Sequence, residues 1–238
     1  MSAAPLHIAG ERLLLDPGGA VFWPGESVLV VADLHLEKGS AAAERGQLLP
    51  PWDTRATLDV LASLLRRYRP KTVVALGDSF HDKRGAERLM AADQARLAAM
   101  TRATRFIWVL GNHDPAAQAA MAGEVVAEWH SGPFRFRHEA SGPAKGEISG
   151  HFHPKATVPV QGTTVTRPCF VTDGMRLMLP ALGAYTGGLD VRDAAIARWF
   201  PKGGRIFLLG KERVFSFPLA ASRAHRTQMG AQIAEGPI

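Results

Sequence analysis

Residues 27–35 read Ser27-Val28-Leu29-Val30-Val31-Ala32-Asp33-Leu34-His35, an apolar, β-branched run that ends in polar side chains. Such a run is typical of a strand buried on both faces of a sheet. The same pattern of an apolar run followed by polar residues occurs at 72–78 (TVVALGD) and 106–114 (FIWVLGNHD). Helical patterns lie between the three runs, one from about Asp53 and one over 86–101. This alternation of strand and helix predicts a mostly parallel sheet with right-handed crossovers.

The rest of the chain is predicted to be mainly strand and loop. We expect a loop over 39–51, a second, mostly antiparallel sheet after about residue 124, and a two-sheet β-sandwich flanked by helices. A single domain is predicted over 1–219, and residues 220–238 lack a strong pattern and are expected to be a mobile tail. Further strands are expected at 6–15, 20–23, 124–128, 133–138, 147–150, 156–160, 168–172 and 175–179, a short helix at 191–199, and a hairpin at 204–209 and 212–217.

Composition places the protein among ordinary globular chains. Of its 238 residues, 46% are apolar and 21% are charged, and Lys and Arg exceed Asp and Glu by 28 − 22 = 6. That basic excess suits an anionic partner such as nucleic acid, but it is weak evidence by itself. Cys169 is the single cysteine, which excludes an intrachain disulfide and a thiolate cluster and fits a reducing cytoplasm. No signal peptide or membrane-spanning run is recognised, so we expect a cytoplasmic protein without a membrane partner.

Polar side chains follow each of the three buried strands. Asp33 and His35 follow the first, Asp78 follows the second, and Asn112 and His113 follow the third. Ligands of open α/β sheets gather at the carboxyl ends of the strands. These residues are therefore expected to meet in one crevice.

Two later segments carry further histidines. His138 ends an alternating strand, and His151 and His153 are spaced by two, as Asp33 and His35 are. On extended chain, a spacing of two points both side chains to the same side, which suits a shared metal site.

The donor set is imidazole, carboxylate and amide oxygen, without sulfur. Such donors suit Mn, Fe or Zn and are too rich in nitrogen for a dedicated Mg or Ca cage. Because there are more donors than one ion needs, we infer two divalent ions that share a carboxylate. Two such ions activate water and stabilise an in-line displacement at phosphorus, which predicts a phosphoesterase.

The order of these motifs resembles the calcineurin-like metallophosphoesterase superfamily. The motifs are D-x-H (33–35), G-D (77–78), G-N-H-D (111–114), a single His (138) and G-H-x-H (150–153). The resemblance implies a four-layer αββα fold and assigns roles residue by residue. By it, the first metal is held by Asp33, His35, Asp78 and His153, and the second by Asp78, Asn112, His138 and His151. His113 is implied to protonate the leaving alkoxide, with Asp114 orienting its ring.

A closer resemblance, to the bacterial ligase-associated DNA damage response endonuclease family, covers most of the chain from the second strand to about residue 192. The segments that carry it are 33–39, 77–82, 136–139, 150–154 and 179–188. It implies a small Mn-dependent phosphodiesterase or endonuclease acting on DNA in repair. It also implies an ATP-dependent DNA ligase, a helicase and an exonuclease as partners of the same system.

Several alternatives stay open at this point. His130 competes with the preferred His138 as a ligand. The substrate is DNA or, alternatively, a nucleotide or another small phosphate ester, and a metal-bound but inactive subunit of a repair complex is a third interpretation. His81 and Asp82 either contact substrate or form a structural turn. Glu37 and Lys38 either orient a ligand and a phosphate or form a surface ion pair. Candidate phosphate contacts, each with solvent exposure as the alternative, are Arg45, Arg84 and Arg167.

Overall fold

The computed structural model describes residues 2–113, 122–142 and 145–221, and two β-sheets pack against each other in it. The first sheet has seven strands in chain order. Their bounds are β1 (Ala4–Ile8), β2 (Glu11–Leu15), β3 (Val21–Trp23), β4 (Val28–Val31), β5 (Thr72–Leu76), β6 (Arg105–Val109) and β7 (Glu124–Val126).

The second sheet has the strand order β15-β14-β12-β13-β10-β9-β8, and β11 pairs with β12. Its strands are β8 (Trp129–Ser131), β9 (Phe134–Arg137), β10 (Glu147–Ser149), β11 (Lys155–Val160), β12 (Thr163–Thr172), β13 (Arg176–Met178), β14 (Gly204–Leu209) and β15 (Val214–Leu219). The predicted hairpin near the end of the domain is confirmed as the antiparallel pair β14 and β15.

The first sheet is parallel only in its second half. Strands β4 to β7 run parallel, whereas β1 to β4 pair antiparallel. The single strand expected at 6–15 is two strands, because Ala9 and Gly10 both take left-handed backbone conformations and reverse the chain. The prediction of a mostly parallel sheet is thus correct for the part that follows β3.

One expectation about the second sheet was wrong. Strand β7, placed there by its position in the sequence, pairs parallel with β6 and belongs to the first sheet. The second sheet is mostly antiparallel, as predicted, but β10 lies between parallel neighbours β9 and β13. Residues 147–149 are buried throughout, as expected of a strand between parallel neighbours, and so show no alternation of exposure.

The helices are α1 (Lys38–Glu44), α2 (Asp53–Tyr68), α3 (Gly85–Arg88), α4 (Ala91–Ala103) and α5 (Ala194–Ala197). Helix α2 is confirmed. Helix α1 lies in the stretch predicted as loop, which was assigned from Gly39 and from the prolines at 50 and 51, beyond the end of this short Ala-containing helix. The helix expected over 86–101 breaks because Leu89 and Met90 adopt extended ψ angles.

Three buried apolar clusters define the layers. One lies between the sheets and includes Val30, Phe136 and Phe170. A second joins the outer face of the first sheet to α2 and α4, and the third joins the outer face of the second sheet to α5. The helix–sheet–sheet–helix arrangement confirms the expected αββα fold.

Residues 222–238, most of the predicted tail, lie outside the described part of the chain. Among the helices of the described residues, none combines the length and apolar character that a membrane crossing requires.

Phe170 tests the core between the sheets, because its ring is fully buried there. Phe170→Ala is expected to lower the free energy of unfolding by about 3–5 kcal/mol, through lost apolar burial and the cavity left behind. Urea denaturation measures the change. Phe215→Ala, at an exposed position of the same sheet, is the matched control and should change stability by less than about 0.5 kcal/mol. Equal losses in both variants would contradict the placement of the core.

Candidate metal centre

The carboxyl ends of three parallel strands meet at one edge of the first sheet. Asp33 follows β4, Asp78 follows β5 and Asn112 follows β6. The loops after β4 and β5 are joined by a hydrogen bond of 2.9 Å from the main-chain N–H of His35 to the main-chain oxygen of Asp78. Histidines that follow β9 and β10 reach the same place from the second sheet. The predicted convergence on one crevice is found.

The first donor group consists of Asp33, His35 and His153. The Nε2 atoms of His35 and His153 lie 3.2 Å apart, and His153 Nε2 is 3.5 Å from Asp33 Oδ1. Asp33 is fully buried. Three candidate metal-ligating atoms, two from the loop after β4 and one from the loop after β10, therefore lie close together.

The second donor group consists of Asp78, Asn112, His138 and His151. His138 Nε2 is 2.8 Å from Asn112 Oδ1, 2.9 Å from His151 Nδ1 and 3.4 Å from Asp78 Oδ2. That same Asp78 oxygen lies 3.8 Å from His35 Nε2. Asp78 Oδ2 is thus near both groups.

The buried polar atoms of the first group fit a cation. Within the described residues, Asp33 Oδ1 is buried without a hydrogen-bond partner. Buried polar groups nearly always have a hydrogen-bond partner. Here a carboxylate oxygen lacks a hydrogen-bond donor and lies next to imidazole nitrogens that face each other. A divalent ion bound between these atoms would satisfy them. The donors are the nitrogen and oxygen types that Mn, Fe and Zn accept.

The protonation of the two groups differs. Burial lowers the pKa of His35 to about 3, so its ring is neutral and can donate a lone pair. Burial also opposes charge on His138, but its hydrogen bond to Asp78 and the negative charges of Asp33 and Asp78 outweigh burial and raise its pKa to about 9. An ion bound at the second group must therefore displace a proton from His138.

Left-handed backbone, and not extended chain, directs these side chains. Asp33, His35, Asp78, His151 and His153 have φ angles between 42° and 72°. Such angles are uncommon outside glycine and cluster at functional sites, where the surrounding structure sustains them. The inference from extended-chain spacing was wrong in its geometry: His151 and His153 turn to different donor groups.

His113 lies beside the centre and outside both donor groups. Its main-chain N–H donates to Asp78 Oδ1 over 3.0 Å, and its ring Nδ1 donates to the main-chain oxygen of His81 over 3.0 Å. The ring Nε2 is 3.9 Å from Asp78 Oδ2, and 43% of the side chain is exposed. This leaves Nε2 accessible to a substrate at the centre. Asp114, predicted to orient this ring, lies outside the described residues.

The two candidate histidines of the second sheet occupy different surroundings. His138 follows β9 and is buried in the second donor group. His130 lies on β8, with an exposed ring that contacts Glu128 at 2.8 Å.

A family model described as calcineurin-like phosphoesterase matches residues 27–165, more than half of the chain. The chain belongs to the calcineurin-like phosphoesterase family. It is therefore a metal-dependent phosphoesterase, and the family implies a dinuclear divalent metal centre for which the two donor groups are candidates.

Among solved structures, the chain is similar to Pseudomonas putida nuclease MPE, with 30% identity over 91% of this chain and 100% of that chain and a TM-score of 0.70. It is also similar to Yfce, a phosphoesterase from E. coli, with 14% identity over 81% of this chain and 98% of that chain and a TM-score of 0.42. None of the curated proteins matches the chain.

His81 is a site residue whose placement the sequence left open. Its ring centroid lies 5.8 Å from that of His113 and 5.8 Å from that of His35. Burial and the positive charge of Lys38 lower the pKa of His81. Its position three residues after Asp78 is the only signal of this placement in the sequence.

Glycine is required at three motif positions because metal-ligating residues pack directly against the main chain there. A Cβ at Gly77 would lie 2.3 Å from His138 Nδ1, one at Gly111 would lie 2.2 Å from the Asp78 main-chain nitrogen, and one at Gly150 would lie 2.5 Å from Asp33 Oδ2. A side chain at any of these positions would displace a donor of the centre.

Gly111→Ala tests whether this packing maintains the metal centre. The new methyl group would overlap both the main chain and Oδ1 of Asp78, so the variant is expected to lose most of its bound metal and its phosphoesterase activity. Elemental analysis after metal loading and gel filtration measures the loss. Gly187→Ala, where a Cβ meets nothing within 4 Å, is the control and should bind metal like the wild type. Normal metal content in Gly111→Ala would contradict the close packing.

Proposed function

We propose that this phosphoesterase hydrolyses the phosphodiester bonds of DNA, as an endonuclease or phosphodiesterase in DNA repair. The observation that carries the proposal is the pair of donor groups near one Asp78 oxygen, with His113 beside them. The DNA substrate is supported by the similarity to a protein named as a nuclease over 91% of this chain. The net charge of +6 favours an anionic substrate.

We propose that the first donor group and Asp78 hold one ion, and that Asp78, Asn112, His138 and His151 hold the other. Manganese is the proposed metal, with iron and zinc as the alternatives for this donor set. When bound, two such ions lower the pKa of water and offset the negative charge of the reacting phosphate. The buried donors orient the ions and exclude bulk water from the side facing the core.

The proposed proton donor is His113. A carbonyl oxygen can only accept, so the contact with His81 requires a proton on Nδ1 of His113. In the imidazolium form the transferable proton is then on Nε2, the nitrogen that faces the centre. Donation of this proton to the leaving oxygen avoids release of a free alkoxide. Asp114 remains a proposed second orienting group for the ring.

Two exposed apolar side chains in one loop suit an unpaired nucleobase. Trp52 is 65% exposed and Leu48 is 96% exposed, in the loop before α2. The first residues of α2 are tied to the segment that follows His35, because Asp53 accepts from the Gly39 N–H over 3.0 Å. Aromatic stacking holds nucleic-acid bases without strict sequence preference, and Arg45 on the same loop offers a charge for the backbone.

The repair role and the partners rest on the resemblance of the five segments described above. We propose that the protein acts in the cytoplasm in the same system as an ATP-dependent DNA ligase, a helicase and an exonuclease. Co-purification of the tagged protein with these enzymes from its own cells tests the physical association.

An activity panel tests the substrate. Single-stranded, duplex and nicked DNA, nucleotides and bis-p-nitrophenyl phosphate are each offered with Mn, Fe, Zn or Mg added in turn. DNA cleavage with Mn supports the proposal. Hydrolysis of bis-p-nitrophenyl phosphate with all DNA left intact favours a small phosphate ester, and inactivity of the fully loaded protein on every substrate favours a binding subunit.

His113→Ala is expected to lower DNA turnover by roughly 10²–10⁴-fold, because the alkoxide leaves without a proton donor. Metal content is expected to stay unchanged, since His113 lies outside both donor groups. Single-turnover kinetics and elemental analysis measure the two quantities. His130→Ala removes an exposed histidine of the second sheet and is the control. Turnover of His113→Ala at the wild-type rate would refute the assigned role.

Trp52→Ala is expected to weaken binding of single-stranded DNA by about 5- to 100-fold, since stacking of one base contributes about 1–3 kcal/mol. Turnover of bis-p-nitrophenyl phosphate should not change. Fluorescence anisotropy with a labelled oligonucleotide measures the affinity, and Phe215→Ala, an exposed aromatic on β15, is the control. Unchanged affinity in Trp52→Ala would exclude this surface from DNA binding.

A further inference from the structure

The ring of His113 is held by a main-chain oxygen, so its position depends on the loop that carries His81. The start of that loop is attached to the segment after β4. The N–H of His81 donates to the oxygen of Leu36 over 2.9 Å, and Leu36 forms a parallel bridge with Phe80. The loop therefore has a defined path up to His81. The residue after it, Asp82, determines how the peptide that carries the accepting oxygen continues.

Arg88 holds Asp82 with two hydrogen bonds. Its Nη2 donates to Oδ1 over 2.8 Å and to Oδ2 over 2.9 Å. Only 11% of the Arg88 side chain is exposed, whereas Arg84, one turn earlier, is 66% exposed. A guanidinium held by a carboxylate and screened from water is far better ordered than a surface ion pair.

The other side of Arg88 is anchored to helix α1. Its Nε donates to Ser40 Oγ over 3.0 Å, and Ser40 Oγ donates to Glu37 Oε2 over 2.6 Å. Thr54, in the first turn of α2, donates from Oγ1 to Glu37 Oε1 over 2.8 Å. Glu37 is buried and has a left-handed backbone with φ 66°. A continuous set of hydrogen bonds thus connects the beginning of two helices to Asp82.

We propose that Arg88, through Asp82, is a positioning residue for the His113 proton donor. It holds the peptide after His81 in the orientation in which the His81 oxygen accepts from His113 Nδ1. Arg88 itself contacts neither donor group in the described structure, and its exposed fraction is too small for a role as a surface phosphate contact. The inference rests on the proposed role of His113 and extends it to the residue that maintains the geometry.

The choice of leaving group distinguishes two possible roles of Arg88: alignment of the His113 ring, or maintenance of the metal centre or the fold. A p-nitrophenolate is a good leaving group and departs without a proton, whereas a poorer leaving group such as phenolate needs protonation in the transition state. Loss of His113 alignment therefore slows only the ester with the poorer leaving group. Loss of the metal centre or of the fold slows both esters.

The experiment compares methyl p-nitrophenyl phosphate with methyl phenyl phosphate, using the Mn-loaded full chain. Arg88→Met keeps much of the apolar stem and removes the guanidinium. It is expected to lower turnover of the phenyl ester by about 10- to 100-fold, and turnover of the p-nitrophenyl ester by less than about twofold. Arg88→Lys, which retains one charged donor, should recover part of the loss. Arg96→Met, on the surface of α4, is the matched control.

A second arm combines Arg88→Met with His113→Ala. If Arg88 acts through His113, the double variant is no slower on the phenyl ester than His113→Ala alone. Asp82→Asn weakens the same contact from the other side and provides the test if Arg88→Met does not fold. Equal losses on both esters, a further loss in the double variant, or wild-type turnover of the phenyl ester overturns the proposal.

The outcomes remain distinguishable from those of the proposed function. Neither ester contains a nucleobase, so failure to cut DNA leaves the positioning test intact. If His113→Ala alone lowers both esters equally or neither, the assigned role of His113 fails, and the positioning role fails with it.

Discussion

The centre depends on one buried carboxylate at the end of β5. Asp78 accepts the His113 N–H with Oδ1, and its Oδ2 lies 3.8 Å from His35 and 3.4 Å from His138. One side chain therefore holds the main chain after β6 and lies near both donor groups. Its backbone is left-handed, and Gly111, which has no side chain, packs directly against it. The remaining parts of the site are arranged around this carboxylate.

Without bound cations, it is energetically unfavourable to bury so many metal-ligating atoms close together. The Nε2 atoms of His35 and His153 face each other at 3.2 Å, and the Asp33 oxygen beside them has no hydrogen-bond partner among the described residues. Buried polar groups left in this way cost free energy, and uncommon backbone angles add to the cost. The apolar cluster between the sheets offsets both, and it holds the two sheets at the spacing that lets the second sheet supply His138 and His151.

The sequence predicted the elements with strong local patterns and missed those that depend on partners. The buried strands and helix α2 follow from apolar runs and helical spacing. Helix α1 was missed because its seven residues have little pattern of their own and are stabilised by contacts of residues 37–40 with α2 and Arg88. Strand β7 was assigned to the wrong sheet because pairing is a long-range property that a three-residue run does not encode.

The sequence by itself determined the family, the donor types and their grouping into one crevice, because these follow from motif order and from the carboxyl ends of consecutive strands. The motif resemblance also implied how the donors divide, and the structure places His151 and His153 in different groups accordingly. Only the tertiary structure decided the left-handed backbone that directs these side chains. It alone revealed the His81 oxygen on His113 and the Arg88 contact behind it. The residue types in the sequence do not specify which main-chain oxygen accepts a hydrogen bond or where the backbone is left-handed. These features can be read only from the folded chain.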